Sequence, residues 1–365
     1  MIEPTLGNLA FATLFVLAWG LVVLYGVSTY LRVSGVARAR RYRPPQPPFA
    51  HGPADVQVRV VSTGDGAKAQ TTVDSLLAAA PDLDIRVLSE TPIDVEGATV
   101  HVVPAEFACD ATPTGRAHEW ARQHVPCHRE YVLSLKAGTH VTDFHGVPDA
   151  DVVQFRGQPT RTGSPVAYLA TIAGVGGHAD RFAFPTRATP PAGVDGCGLA
   201  VRHELDQTVG WDDASLLPDS AFLWRAVRDH GADVTEVSTR WETASPRTIS
   251  ESFRKRLWQT LGTLREWKTL PPTWLGALTA RNLSTVVWPV VPVLLLLGVA
   301  APVPLPVTGS VLALAALVCG LSVVALVLGV RYLATSDRPV GPVASESMSA
   351  GDEVGRGDTL ADSGD

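Results

Sequence analysis

Cysteine is scarce in this chain, and the four present (Cys109, Cys127, Cys197, Cys319) show no CxxC spacing. That excludes a disulfide framework and a zinc ribbon, leaving free thiols as the plain expectation. Glycine-rich nucleotide signatures are missing too. Ser62-Thr63-Gly64-Asp65-Gly66 has neither a GxGxxG pattern nor a Walker lysine, and reads as a tight turn. Positive charge is not in excess. The net charge is −6, and six acids against Arg356 fall from Gly341 onward, so nucleic acid is not an expected partner. No internal repeat is apparent. Charge of either sign is absent from two long stretches, Pro4–Leu31 and Asn282–Val330.

Those stretches exceed the roughly 20 apolar residues that cross a bilayer. Pro302, Pro304 and Pro306 divide the second, which predicts three transmembrane helices: Leu9–Leu31, Leu283–Ala301 and Val307–Val330. The first has no basic n-region and no small-residue cleavage site, so an uncleaved anchor is expected. Arg32, Arg38, Arg40, Arg41 and Arg43 follow it, while only Glu3 precedes it. The positive-inside rule then places a multi-pass protein in the cell membrane with its main domain in the cytoplasm. The expected organisation is an anchor (1–31), a basic Pro-rich linker (32–54), an α/β domain (55–250), an interfacial helix (251–280), two spans (281–332) and an acidic disordered tail (333–365).

Within the central domain, strand-like and helix-like segments alternate. Val56–Ser62, Asp84–Glu90, Thr99–Pro104, Tyr131–Leu135, Asp151–Arg156, Leu199–Arg202 and Asp233–Ser238 read as strands. Lys68–Ala80, Thr114–His124 and Asp219–His230 read as helices. The alternation predicts an α/β fold, a mostly parallel sheet flanked by helices. Ligands of such sheets sit outside the carboxyl ends of the strands, which here includes Lys136-Ala137-Gly138 after Tyr131–Leu135.

Five stretches in order carry a resemblance: VRVVSTGDGAKAQTTVDSL (Val58–Leu76), IRVLSE (Ile85–Glu90), TGRAHEWARQHVPCHREYVLSL (Thr114–Leu135), DGCGLAVRHEL (Asp195–Leu205) and LLPDSAFLWRAVRDHGADV (Leu216–Val234). The order resembles the family 2 glycosyltransferases of GT-A fold, with archaeal members similar to the egghead β-1,4-mannosyltransferase nearest in layout. The resemblance implies a nucleotide-sugar donor and a lipid-linked or glycan acceptor. It implies Asp219 as catalytic base, with Glu90, Lys136 and Gly138 at the donor and Gly196, Gly198 and Trp258 at the acceptor. Mg²⁺ or Mn²⁺ is the family's usual cofactor, held by carboxylates. Here the two acidic positions are Lys136 and Gly138, and Pro218 precedes Asp219 where a glutamate is expected. The same departures imply an alternative, an inactive scaffold or a binding partner of another glycosyltransferase.

Several residues carry a second reading. Asp219 at a helix start is favoured by the helix dipole alone. Glu90 at a strand end reads equally as a solvated acid, Gly196 and Gly198 as turn glycines, and Trp258 as a membrane-interface tryptophan. His140, Asp143 and His145, just past the altered strand, offer a substitute metal set or solvated loop side chains. Finally, Phe253–Leu270 puts Phe253, Leu257, Leu261 and Leu264 on one helical face among Arg254, Lys255, Arg256, Arg265 and Lys268. That pattern predicts a helix in the lipid headgroup layer, the alternative being a helix packed on the domain.

Overall fold

A computed structural model of the chain describes residues 48–175 and 197–272, with residues 20, 194, 275–276, 278–279 and 327 besides. Apart from residues 20 and 327, the three expected membrane spans lie outside the described residues, as do the acidic tail and Gly196. Among the described residues no helix is long and apolar enough to cross a membrane.

The core begins with β2 (Val56–Ser62), buried along its whole length. A strand covered on both faces needs partners on both edges. It has them in β3 (Asp84–Ser89) and β5 (Tyr131–Lys136), both parallel to it. β4 (Thr99–Val102) extends the sheet beyond β3, again parallel. On the other side come β9 (Gly198–Arg202), β8 (Val152–Thr160), β10 (Val234–Ala244) and β6 (Thr139–His140), giving the order β4-β3-β2-β5-β9-β8-β10-β6. β9 is antiparallel to both β5 and β8, and β6 is antiparallel to β10. The eight-stranded sheet is therefore mixed, with a parallel majority. A separate antiparallel pair joins β1 (Phe49–His51) to β7 (Val147–Pro148), so the end of the expected linker is a strand.

Helices cover both faces. α1 (Gly66–Ala79) starts at Asp65, whose side chain accepts from the Lys68 amide at 3.1 Å. It buries Ala69, Val73 and Leu76 against Val56, Val58 and Val60. Alternation along β2 sends Gln57, Arg59 and Val61 to the opposite face. There α2 (Pro113–His124) contributes Ala117 and Ala121 beside Val61 and Leu88. Farther along, α4 (His203–Val209) and α5 (Pro218–His230) sit against β9, with Trp211 and Phe222 stacked at 4.3 Å. α3 (Pro165–Val175) and α6 (Ile249–Arg265) contact each other.

Chain direction turns between β2 and β5. From β2 the connections run outward to β3 and β4, then return to the other side of β2 for β5. Such a switch point leaves a crevice outside the strand ends. Lys136 stands in it, as the one exposed residue of β5.

The differences from the sequence expectation are local. β8 runs on to Thr160 and β10 to Ala244, because their outer halves pair with each other beyond an irregularity between Val237 and Arg240. The expected helix Phe253–Leu270 starts earlier, at Ile249 after the Thr248 cap, and gives way to a 3-10 turn at Glu266–Lys268.

Candidate active site

The turn after β5 explains why glycine occupies position 138. Gly138 has φ +95°, the left-handed region, and its amide donates to Thr72 Oγ1 at 2.9 Å and to the Lys68 carbonyl at 3.2 Å. The turn is thus fastened onto α1, and a side chain there is strained. Two residues earlier, Lys136 leaves the sheet edge and meets the first turn of α5. Its Nζ stands 3.0 Å from Asp219 Oδ2. Pro218 opens that helix, where its missing N–H costs nothing.

Lys136 and Asp219 border one pocket, together with His118, Ser134, Gly198 and Leu199. The pocket encloses about 240 Å³, part of it open to solvent. The cavity proper is only about 10 Å³, room for roughly one water, so the side chains as they stand leave the site a shallow opening rather than a formed sugar pocket. Burial pushes the Asp219 carboxyl up, but the Lys136 ammonium and His118 outweigh it and hold the group below its ordinary value. Asp219 raises the Lys136 ammonium in return, against the effect of burial. Both groups are charged at neutral pH.

His118 was not foreseen from sequence. It is buried on α2, stacked on Trp211 at 4.4 Å, and its Nδ1 has no hydrogen-bond partner. Burial pushes its pKa down to about 4, so the ring next to Asp219 is neutral. Behind it a chain of polar contacts crosses the core. Trp211 Nε1 donates to Asp206 Oδ1 at 2.7 Å, Asp206 Oδ2 pairs with Arg59 Nη1 at 3.2 Å, and Arg59 Nε donates to Gln57 Oε1 at 3.2 Å. The available signal was β2 itself. A strand buried end to end that carries Gln57 and Arg59 on one face requires charged partners there.

The remaining expected residues fall at varied distances from this centre. Glu90 follows β3, two strands from Lys136, which sets the two about 10 Å apart across the sheet. Arg116 of α2 holds it at 3.3 Å, and the same guanidinium donates to the Phe107 carbonyl at 2.9 Å. Gly198 lines the pocket, yet its lack of a Cβ has a packing cause, since that atom would stand 2.3 Å from the Trp241 ring. Trp258 is on α6, outside the pocket wall, donating to the Leu216 carbonyl at 3.3 Å. The turn at Gly64 leads into α1, whose first turn is already occupied by the Asp65 carboxylate and its Lys68 ion pair at 2.8 Å.

The residues do not fit a divalent cation held in the usual carboxylate manner. The strand end presents an ammonium, and among the described residues no three of His, Cys, Asp and Glu are grouped to hold a metal. The substitute set is likewise not assembled: Asp143 and His145 pair at 3.6 Å, both exposed, while His140 lies on β6 opposite Glu242.

A solved structure shares this architecture. The mannosyltransferase PcManGT from Pyrobaculum calidifontis, in complex with GDP-Man and Mn²⁺, is similar at TM-score 0.54 and 14% identity, over 89% of this chain and 100% of that one. Glucosyl-3-phosphoglycerate synthase from Mycobacterium tuberculosis, in complex with phosphoglyceric acid, is similar at TM-score 0.38 and 13% identity, over 61% and 82%. No protein-family model matches the chain, and no curated protein matches it in sequence. The likeness to the first is one of fold, and the chain has the mixed α/β architecture of GT-A-type glycosyltransferases.

Proposed function

We propose that the chain is a membrane-bound, family 2-like glycosyltransferase acting at the cytoplasmic face without a carboxylate-held metal. It moves a sugar from a nucleotide-sugar donor to a lipid-linked or glycan acceptor. The observation that carries this reading is the Lys136–Asp219 ion pair in a pocket at the carboxyl edge of the sheet. In the transfer, the acceptor oxygen bonds to the anomeric carbon. The bond from that carbon to the diphosphate oxygen breaks, and its electron pair leaves with the nucleoside diphosphate. Asp219 takes the acceptor's proton, and Lys136 gives its ammonium to the leaving diphosphate.

The pair couples these two roles. While Lys136 holds Asp219, the carboxylate is a weak base. A donor diphosphate competes for the ammonium, and its arrival lifts the proton affinity of Asp219 when the acceptor must be deprotonated. Glu90 serves the nucleotide base, the Gly138 turn the diphosphate, and Gly196, Gly198 and Trp258 the acceptor. The resemblance to egghead-like archaeal mannosyltransferases, and the GDP-Man bound by the solved relative, make a GDP-sugar the first donor to test.

The test is titration of the detergent-solubilised full chain with GDP-mannose and UDP-glucose, with Mn²⁺ or with EDTA. Binding of one donor with equal affinity under both conditions is expected, as is transfer to polyprenyl phosphate or an oligosaccharide. Asp219→Asn should lower transfer on the order of 10²–10⁴-fold with donor binding kept. Absence of donor binding would instead favour the second reading, an inactive scaffold for a partner glycosyltransferase. That reading draws on the same pair, since a base neutralised by a lysine suits a retired site.

A further inference from the structure

Among the described residues, nothing covers a broad apolar face on α6 and the 3-10 turn that follows it. Phe253, Leu257, Trp258, Leu261, Leu264 and Trp267 are 41%, 40%, 51%, 45%, 43% and 63% exposed. Spacings of three and four residues put them along one side. A folded domain rarely leaves so many large apolar side chains together in water, and a run of this kind marks a surface meant to be covered. The opposite side of α6 is the one that packs: Thr260, Gly262 and Thr263 are buried. The adjacent α3 also exposes Val166 and Leu169.

What covers the face is indicated by its charge. Arg254, Arg265 and Lys268 are exposed around it, and Lys268 Nζ lies 5.4 Å from the Trp267 ring centre. Of the acids on this segment, Glu266 is buried and Glu251 is engaged by the Arg247 amide at 2.7 Å. An apolar stripe carrying tryptophans and bordered by cations matches the acyl–headgroup boundary of an anionic bilayer. A charge-free run long enough to span a bilayer begins at Asn282, a short distance along the chain.

The packed side ties this face to the candidate active site. Gly262 lets α6 approach the loop before α5 so closely that a Cβ would stand 2.6 Å from Leu217 Cγ. Trp258 donates to the neighbouring Leu216 carbonyl at 3.3 Å. Leu217 caps α5, two residues before Asp219. We infer that α6 lies in the surface of an anionic membrane and, through Gly262 and Trp258, holds the Asp219 loop at the level of the lipid headgroups. Of the two acceptor classes above, this selects the lipid-linked one, a step that rests on the transferase reading. The membrane contact itself does not.

The experiment uses the full chain in nanodiscs of phosphatidylcholine with phosphatidylglycerol bearing a diazirine on its acyl chain, followed by peptide mapping of the photo-adducts. Adducts on Phe253, Leu257, Leu261 and Trp267 are expected, with Thr260 and Thr263 unlabelled. Leu257→Glu with Leu261→Glu should reduce α6 labelling severalfold while labelling of residues 283–330 persists. Replacing unlabelled phosphatidylglycerol by phosphatidylcholine, with the probe held constant, should lower it too. Adducts confined to other segments, or no dependence on lipid charge, would overturn the inference. Labelling requires no sugar transfer, so an inactive protein with a labelled α6 would overturn the transferase reading and leave the membrane contact standing.

Discussion

Two side chains of the pocket respond to pH in ways that can be read separately. Asp219 is held below its ordinary value, so its stabilising pair is fully present above about pH 4 and is lost as pH falls through the depressed value. Lys136 is raised, so its contribution is present below about pH 10 and is lost as pH climbs through the raised value. Lys136→Met should therefore remove both limbs and raise the Asp219 pKa, read by NMR titration of that carboxyl. The loss of stability at pH 7 should be about 1 kcal/mol, since the ammonium is half exposed and water screens it. His118 carries the opposite lesson. A buried neutral histidine at about 4 destabilises as pH falls below its ordinary 6.5, because the unfolded chain takes the proton first. The interval is equivalent to about 3 kcal/mol, lost progressively toward pH 4. His118→Gln should abolish that acid slope in denaturant titrations at pH 7, 6 and 5, and an unchanged slope would remove His118 as its source. Of this site, Lys136 was legible from the strand pattern, which put it at the carboxyl end of β5, whereas Asp219 as a base was legible only through the family resemblance. His118 was not legible, because one histidine on a polar helix has no partner spacing to mark it.

At the scale of elements, the β5–β6 turn decides whether an acidic pair can be placed at the end of β5. Asp at 136 and 138 supplies the pair that the resembled family carries, but Gly138 sits at φ +95° and is bonded by its amide to α1. A side chain there costs roughly 1–2 kcal/mol. Lys136→Asp also places a second carboxylate beside Asp219 with no cation between them. The double variant should consequently unfold at lower denaturant than the parent, and Mn²⁺ should restore part of the loss. Isothermal titration should show Mn²⁺-dependent donor binding in the variant alone. If Mn²⁺ changes neither stability nor donor binding, the end of β5 is not where the diphosphate sits. The elements themselves were unequally legible. β2, β3 and β5 are short, largely apolar runs bounded by turns, and buried parallel strands have that appearance, while the edge strand β4 is partly exposed. β9 was expected as a strand, but residue pattern carries no chain direction, and it proved antiparallel. β10 was cut short at Ser238 because Arg240, Glu242 and Thr243 do not read as core. They are paired with β8 and β6 at the sheet's far side, which supplies the hydrogen bonds that hydrophobicity did not announce.

For the whole molecule, the proposal fixes which way the sheet faces. Under it, the crevice at the end of β5 has to meet a cytoplasmic nucleotide-sugar pool and α6 has to meet lipid, which would stand the domain on the inner leaflet. The cations agree at both ends of the chain. Five arginines fall between Arg32 and Arg43, Arg281 precedes the charge-free run that starts at Asn282, and Arg331 follows it. Each cation is drawn to the side held negative, and reversing the chain would carry all of them across. A fluorescent or phosphatase reporter distinguishes the two arrangements. Fusions at Pro53 and after Arg331 should fluoresce and lack phosphatase activity, while insertion between Pro302 and Pro306 should do the reverse. Phosphatase activity at Pro53 would put the pocket on the outer face, away from nucleotide sugars, and would sink the transferase reading. It would leave the fold and the basic rim of α6 as they are. The orientation is therefore the step on which a nucleotide-sugar function depends most.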